Sequence, residues 1–264
     1  MASSQGTALI TGASSGIGKA FARRLAEDGF DLILHGRRRE LLEALAAELS
    51  DRHGVRAEVV TAELADDAEL DRLVEEVKAT SEISFLVNNA GFGTAGLFHQ
   101  ESEKSQADMV RVHCLATVRL THAALPGMIR RGRGAVINVS SIRAFAPGIT
   151  AATYAGAKAF INLFSSSIAL ELRGTGVRVQ ALCPGYTVTD FHRRIGLDTA
   201  GKNHGLVRWM NPERVVDGSL RGLERGQVIC VPRFWDKLLV AIPKLLPDFI
   251  VHQLAPGSGG KKTN

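Results

Sequence analysis

Cysteine is scarce in this chain, and what there is does not pair off. Cys114, Cys183 and Cys230 form an odd, scattered set in 264 residues. That argues against a disulfide framework and predicts a reducing compartment, hence a cytoplasmic location. No basic head with an apolar core precedes the first strand-like run, Ala8-Leu9-Ile10, so no secretory leader is expected. No apolar stretch approaches the ~18 uninterrupted residues of a membrane-crossing helix. Zinc-ligand spacing and a helix-turn-helix pattern are both missing, so neither a metal nor nucleic acid is expected as a partner. An interdomain linker and an internal repeat are absent too, which leaves one domain.

What is present suits a sizeable core. The chain is 45% hydrophobic and 22% charged, and its 27 glycines fit a fold with many tight turns. The net charge of +5 comes from dispersed basic residues. An anionic cofactor and a merely basic surface account for it equally well.

Short β-rich runs alternate with helical periods. Thr7–Ile10, Asp31–Leu34, Ala57–Thr61, Ser84–Val87, Ala135–Val139, Val177–Leu182 and Gln227–Val231 read as strands. Lys19–Glu27, Arg39–Arg52, Ala68–Lys78 and Thr153–Arg173 read as helices. This alternation predicts crossover units: an α/β, doubly wound parallel sheet of about seven strands, helices on both faces, and a ligand across the carboxyl ends of the strands. Residues 1–233 would form this domain. Residues 190–210, basic at His192, Arg193, Arg194 and Arg208, fall at the ligand edge and are expected as a substrate lid. Phe92, Phe145, Tyr186, Phe191 and Trp209 are candidates to line an apolar pocket, or to pack the insertion onto the sheet. Residues 234–254 form an apolar helical extension interrupted by Pro243 and Pro247. It could dock on a neighbouring subunit, cap the pocket, or lie on a membrane surface. Residues 255–264 read as a flexible tail.

Gly12, Gly16 and Gly18 lie where the first strand turns into the first helix, as G-x-x-x-G-x-G. Glycine permits the tight turn, and the helix N-terminus offers N–H groups and a positive dipole end to a pyrophosphate. Ser14, Ser15 and Ile17 belong to the same turn. The second strand leads into Gly36-Arg37-Arg38. A binder of the unphosphorylated dinucleotide usually has a carboxylate here. A guanidinium instead suits a 2′-phosphate, so NADP(H) is expected over NAD(H), with Arg37 foremost and Ser14 and Arg38 adding contacts.

Tyr154 and Lys158 stand four residues apart, on one helix face. The lysine cation should favour the phenolate and depress a phenol pKa of about 10, which makes an acid/base pair.

Taken together, Thr11-Gly12-x-x-x-Gly16-x-Gly18, Asn88-Asn89-Ala90-Gly91, Ser141, Tyr154-x-x-x-Lys158 and Pro184-Gly185 resemble the short-chain dehydrogenase/reductase family over roughly residues 7–231. The resemblance implies a reaction between a small carbonyl or alcohol and the nicotinamide cofactor. Tyr154 would be the general acid/base, and Ser141 would orient the substrate oxygen. Lys158 would hold the nicotinamide ribose. Asn88, Ala90 and Gly91 would flank the adenine-side ribose, with Asn89 counted among the cofactor contacts. Val188 and Thr189, after Pro184-Gly185, would bind the carboxamide. A homodimer or homotetramer through the long fourth and fifth helices is also implied.

Two positions depart from the family pattern. His113 stands where an asparagine usually helps hold a proton-relaying water, and it could relay protons or be satisfied by a backbone carbonyl. Glu63 replaces the common aspartate near the adenine, and Leu64 would contribute its backbone there. Two further readings stay open: a cofactor-sensing regulator without turnover, and a sugar-nucleotide epimerase or dehydratase.

Overall fold

The computed structural model describes residues 5–80, 82–190 and 209–245. Among them, seven strands form one parallel sheet: β1 Thr7–Thr11, β2 Asp31–Gly36, β3 Ala57–Thr61, β4 Ile83–Asn88, β5 Gly134–Val139, β6 Val177–Leu182 and β7 Ile229–Cys230. Their spatial order is β3-β2-β1-β4-β5-β6-β7, with every neighbouring pair parallel. The order reverses between β1 and β4, so the crevice above these two strands is the topological switch point. The last strand is shorter than the run Gln227–Val231 suggests. It pairs with β6 only through Ala181↔Ile229 and Leu182↔Cys230.

The helices are α1 Gly16–Glu27, α2 Arg39–His53, α3 Asp67–Ala79, α4 Glu103–Val110, α5 Ala116–Arg130, α6 Ala152–Glu171, α7 Pro212–Glu224 and α8 Phe234–Leu245. A π-helical turn, Arg111–Leu115, joins α4 to α5. Local chemistry fixes several ends. Asp66 caps α3 by accepting from the Glu69 amide at 2.9 Å. Gly54 closes α2 in the left-handed region, at φ +68°, where its amide donates to Ser50. Pro212 sits in the first turn of α7. α8 runs on through Pro243, which the sequence pattern treats as a break.

Both faces of the sheet are covered, so β1 is buried at every residue. Its side chains alternate between two cores. Ala8 and Ile10 join Phe21 and Leu25 of α1, Leu42 and Leu45 of α2, and Val216 and Leu220 of α7. Leu9 joins Leu70 and Leu73 of α3, and Leu120 of α5, on the opposite face. A buried polar chain crosses the second layer. Asn88 Nδ2 donates to Thr121 Oγ1 and Asn138 Oδ1, and Asn138 Nδ2 donates to Ser165 Oγ. It ties β4 and β5 to α5 and α6.

Of the expected lid only Asp190, Trp209 and Met210 are described. Phe191, His192, Arg193, Arg194, Arg208, and residues 246–254 and 255–264, lie outside the described residues. Among the described residues no helix is long and apolar enough to cross a membrane, and no cluster of His, Cys, Asp and Glu could hold a metal ion.

Candidate active site

A cleft of ≈ 240 Å³ opens over the carboxyl ends of the strands, at the switch point. Gly12, Ser14, Ser15, Gly16 and Ile17 line one end of it. Gly12 and Gly16 take φ +68° and +56°, which a side chain would strain. A Cβ on Gly16 would also meet the Thr189 methyl at 2.8 Å. Gly18 does not line the cleft. It lets α1 approach β1: a Cβ there would meet Asn89 Nδ2 at 2.5 Å. That amide group donates to the carbonyls of Thr11 and Gly12 and fixes the turn. The N-cap residue of α1, Ser15, makes no side-chain cap bond, and no acidic residue occupies the first helical turn. The end is therefore chemically suited to an anion.

The two arginines after β2 part company. Arg37, foremost for a 2′-phosphate by sequence, pairs instead with Glu63, Nη1 to Oε2 at 3.0 Å, and is largely exposed. Arg38 folds over the glycine turn. Its Nη2 donates to Ser14 Oγ and Ser15 Oγ, both at 2.9 Å, and its Nη1 lies 3.5 Å from Asp190 Oδ2. Glu63 and Leu64 line the cleft beside them. His35 lies there as well, missed by the sequence reading. Its Nε2 bonds the Ala62 carbonyl at 3.1 Å, and burial pushes its pKa down to about 4.

Asn89, Ala90 and Gly91 line the middle of the cleft. Asn88 does not reach it, because the polar chain described above holds its amide inside the sheet. Pro184, Gly185 and Thr189 line the far wall. The Val188 amide donates to the Met210 carbonyl at 2.9 Å. Among the aromatic candidates Phe92 lines the cleft. Phe145 packs against the Ile161 cluster, and the rings of Tyr186 and Trp209 meet tilted by 56° with centroids 5.4 Å apart.

Ser141, Tyr154, Lys158 and His113 all line this one cleft. Ser141 caps a 3-10 turn, Ile142–Phe145, by accepting from the Arg143 amide. Lys158 is buried, and its Nζ donates to the Val139 carbonyl at 2.7 Å while lying 5.5 Å from the Tyr154 ring centroid. The expected lysine-driven depression of the phenol does not appear. Burial raises the Tyr154 pKa to about 12, against a smaller lowering by a hydrogen bond with Ser141 and by the Arg143 charge. Burial also brings Lys158 down to about 8, opposed by Cys114 and Cys183. At neutral pH the pair is thus a protonated phenol beside an ammonium, not a standing phenolate.

His113 sits within the π-helical turn, and its ring packs against Gly91, whose Cβ would meet Nδ1 at 2.9 Å. Its Nε2 lies 2.8 Å from the Phe92 carbonyl and 3.2 Å from the Phe92 amide, donating to the first or accepting from the second according to the tautomer. Burial, and then the Lys158 charge, hold its pKa well below the usual value, so the ring is neutral. Its Nδ1 is buried without a hydrogen-bond partner.

The family model of the short chain dehydrogenases matches residues 6–200. A very-long-chain 3-oxoacyl-CoA reductase of Pyrenophora tritici-repentis is 35% identical over 228 residues, 83% of this chain and 63% of that protein. The chain thus spans somewhat under two thirds of that relative's length. A serine 3-dehydrogenase of Agrobacterium fabrum is 41% identical over 212 residues, 78% of this chain and 82% of that one. Among solved structures, a short-chain dehydrogenase from Sphingobium yanoikuyae in complex with NADPH superposes with a TM-score of 0.82 at 32% identity, covering 97% and 99% of the two chains.

Proposed function

The chain belongs to the short-chain dehydrogenase family, and we propose that it interconverts a ketone or aldehyde and the matching alcohol with NADP(H). One observation carries this reading: Tyr154, Ser141 and Lys158 share a single cleft with the glycine turn and the free end of α1. A dinucleotide fits these residues, since the left-handed glycines leave no Cβ in its path and the α1 amides suit its pyrophosphate. When bound, the cofactor supplies hydride to the carbonyl carbon.

The protein's own groups handle the oxygen. Ser141 would hold it by hydrogen bond, and Tyr154 would stabilise the developing negative charge and then hand over its phenolic proton. Lys158, with donor capacity beyond its bond to Val139, would bind ribose hydroxyls and keep a positive charge beside the phenol. In the reverse direction the same hydroxyl oxygen would accept the proton.

For the 2′-phosphate, each arginine has one carboxylate neighbour, Glu63 for Arg37 and Asp190 for Arg38, and the contacts of Arg38 with Ser14 and Ser15 at the glycine turn favour Arg38. The outer face of α6, with Phe160, Leu163 and Leu170 exposed, suits the proposed homodimer or homotetramer.

The test follows cofactor absorbance while carbonyls and alcohols are screened, with wild type and Tyr154→Phe side by side. A positioned general acid is worth about 10²–10⁴-fold in rate. Turnover by wild type, a loss of that order in the variant, and unchanged cofactor affinity are expected. Cofactor binding without turnover of any substrate would favour a sensor, and substrate conversion without net cofactor change would favour an epimerase.

A further inference from the structure

Helix α8 wears its side chains inside out. Asp236 faces inward, 3% exposed, and pairs with Arg233 at 3.2 Å. Its Oδ2 presses close to Gly185, where a Cβ would meet it at 2.5 Å. Val240 packs inward too, against the Ile161, Ala181, Cys183 and Val231 cluster. The apolar residues point the other way: Phe234 is 65% exposed, Trp235 57%, Leu238 42% and Leu239 46%. At 100° per residue these four span about 140° of the helix surface. A single exposed aromatic needs no explanation, but two aromatics and two leucines on one continuous arc do.

Charge identifies what the arc meets. Among the described side chains of α8 the acid is buried and Lys237 is the exposed charge, about 60° from the edge of the apolar arc. The whole chain carries +5. An aromatic-rich apolar arc flanked by a lysine, on a basic protein, is the pattern of a helix lying in a lipid interface: rings and leucines enter the acyl boundary while the amine reaches back to headgroup phosphates. A second copy fits less well. An isologous contact sets the same patch against itself and brings Lys237 toward its own equivalent.

We propose that α8 docks the protein, by Phe234, Trp235, Leu238 and Leu239, onto an anionic lipid surface. The buried Asp236–Arg233 pair fixes the helix to the Pro184-Gly185 wall of the cleft, so docking sets the catalytic cleft beside the bilayer. The docking itself does not depend on the reaction proposed above.

The full chain, with Trp209→Phe so that Trp235 is its one indole, is mixed with vesicles of phosphatidylcholine alone or with phosphatidylglycerol. Sedimentation and indole emission are read. Binding to the phosphatidylglycerol vesicles, a blue-shifted emission and weakening with added salt are expected. Leu238→Ser with Leu239→Ser, both at exposed positions, should lower the vesicle partition about tenfold or more. Three results would overturn the proposal: no vesicle binding, equal binding to both compositions, or binding indifferent to the double substitution. A concentration-dependent dimer abolished by the same pair of substitutions would also overturn it, by assigning the face to a second copy.

Discussion

The imidazole of His113 stands perpendicular to the ring of Tyr154, with the two centroids 5.6 Å apart. It is a wall of the cleft, tied to the main chain of Phe92 and closed off behind by Gly91. Removing it leaves a cavity and a main-chain group of Phe92 without its partner. We predict that His113→Ala lowers stability by about 2–3 kcal/mol in urea unfolding. His113→Asn, which keeps an amide donor, should lose less.

His35 and His113 are both buried as neutral rings, which gives the fold an acid limit. A histidine whose folded pKa lies below its unfolded value of about 6.5 binds fewer protons folded than unfolded. Its contribution is fully present above that value and is lost as pH falls, for His35 down to about 4. Stability should therefore drop from pH 7 toward pH 4, each ring adding at most ~1.4 kcal/mol per pH unit. Urea midpoints across this window should show a shallower acid limb in His35→Gln, and an unchanged slope would contradict the assignment.

The alkaline side belongs to Lys158. With the ammonium titrating at about 8 and the phenol at about 12, the lysine loses its charge first as pH rises. For the free enzyme, kcat/KM for carbonyl reduction should fall above pH 8. Lys158→Arg, which stays charged, should move that fall upward even if the maximum rate is lower. A limb that stays put in the variant would assign it elsewhere.

Cofactor choice should follow Arg38. We expect Arg38→Ala to reduce kcat/KM with NADPH by roughly 10–100-fold, the loss of about 1.5–3 kcal/mol of charge-assisted bonding, and to spare NADH. Arg37→Ala should discriminate less, because its guanidinium is largely exposed and, unlike that of Arg38, makes no bond to the glycine-turn serines. Steady-state kinetics with both cofactors on both variants decides between them.

The glycine turn, the alternation of strands and helices, and the Tyr154–Lys158 spacing were all legible in the residue order. Each is local: backbone freedom at Gly12 and Gly16, a period of two or of 3.6, one helix face. The strand order is not among them: the fixed hand of crossovers narrows the possible orders without choosing one, and the order appears only in the folded sheet. The neighbours Asn88 and Asn89 were not separable in that way. Asn88 ends β4 and turns its amide to Asn138, whereas Asn89 lies just past the strand and bonds the glycine turn, and only the register with β5 says which of them faces Asn138.

Charge and proton affinity belonged to the tertiary structure. Arg37 and Arg38 are adjacent in the chain, yet Glu63 of the neighbouring β3 edge takes one, and Ser14, Ser15 and Asp190 take the other. Lys158 spends a bond on Val139, nineteen residues away, and the phenol of Tyr154 is raised rather than lowered. The sequence by itself determined which groups could meet over the sheet, because periodic burial is encoded residue by residue. Only the folded chain decided which atoms are stripped of water and which partners compensate them, because desolvation and through-space charge depend on segments far apart in sequence.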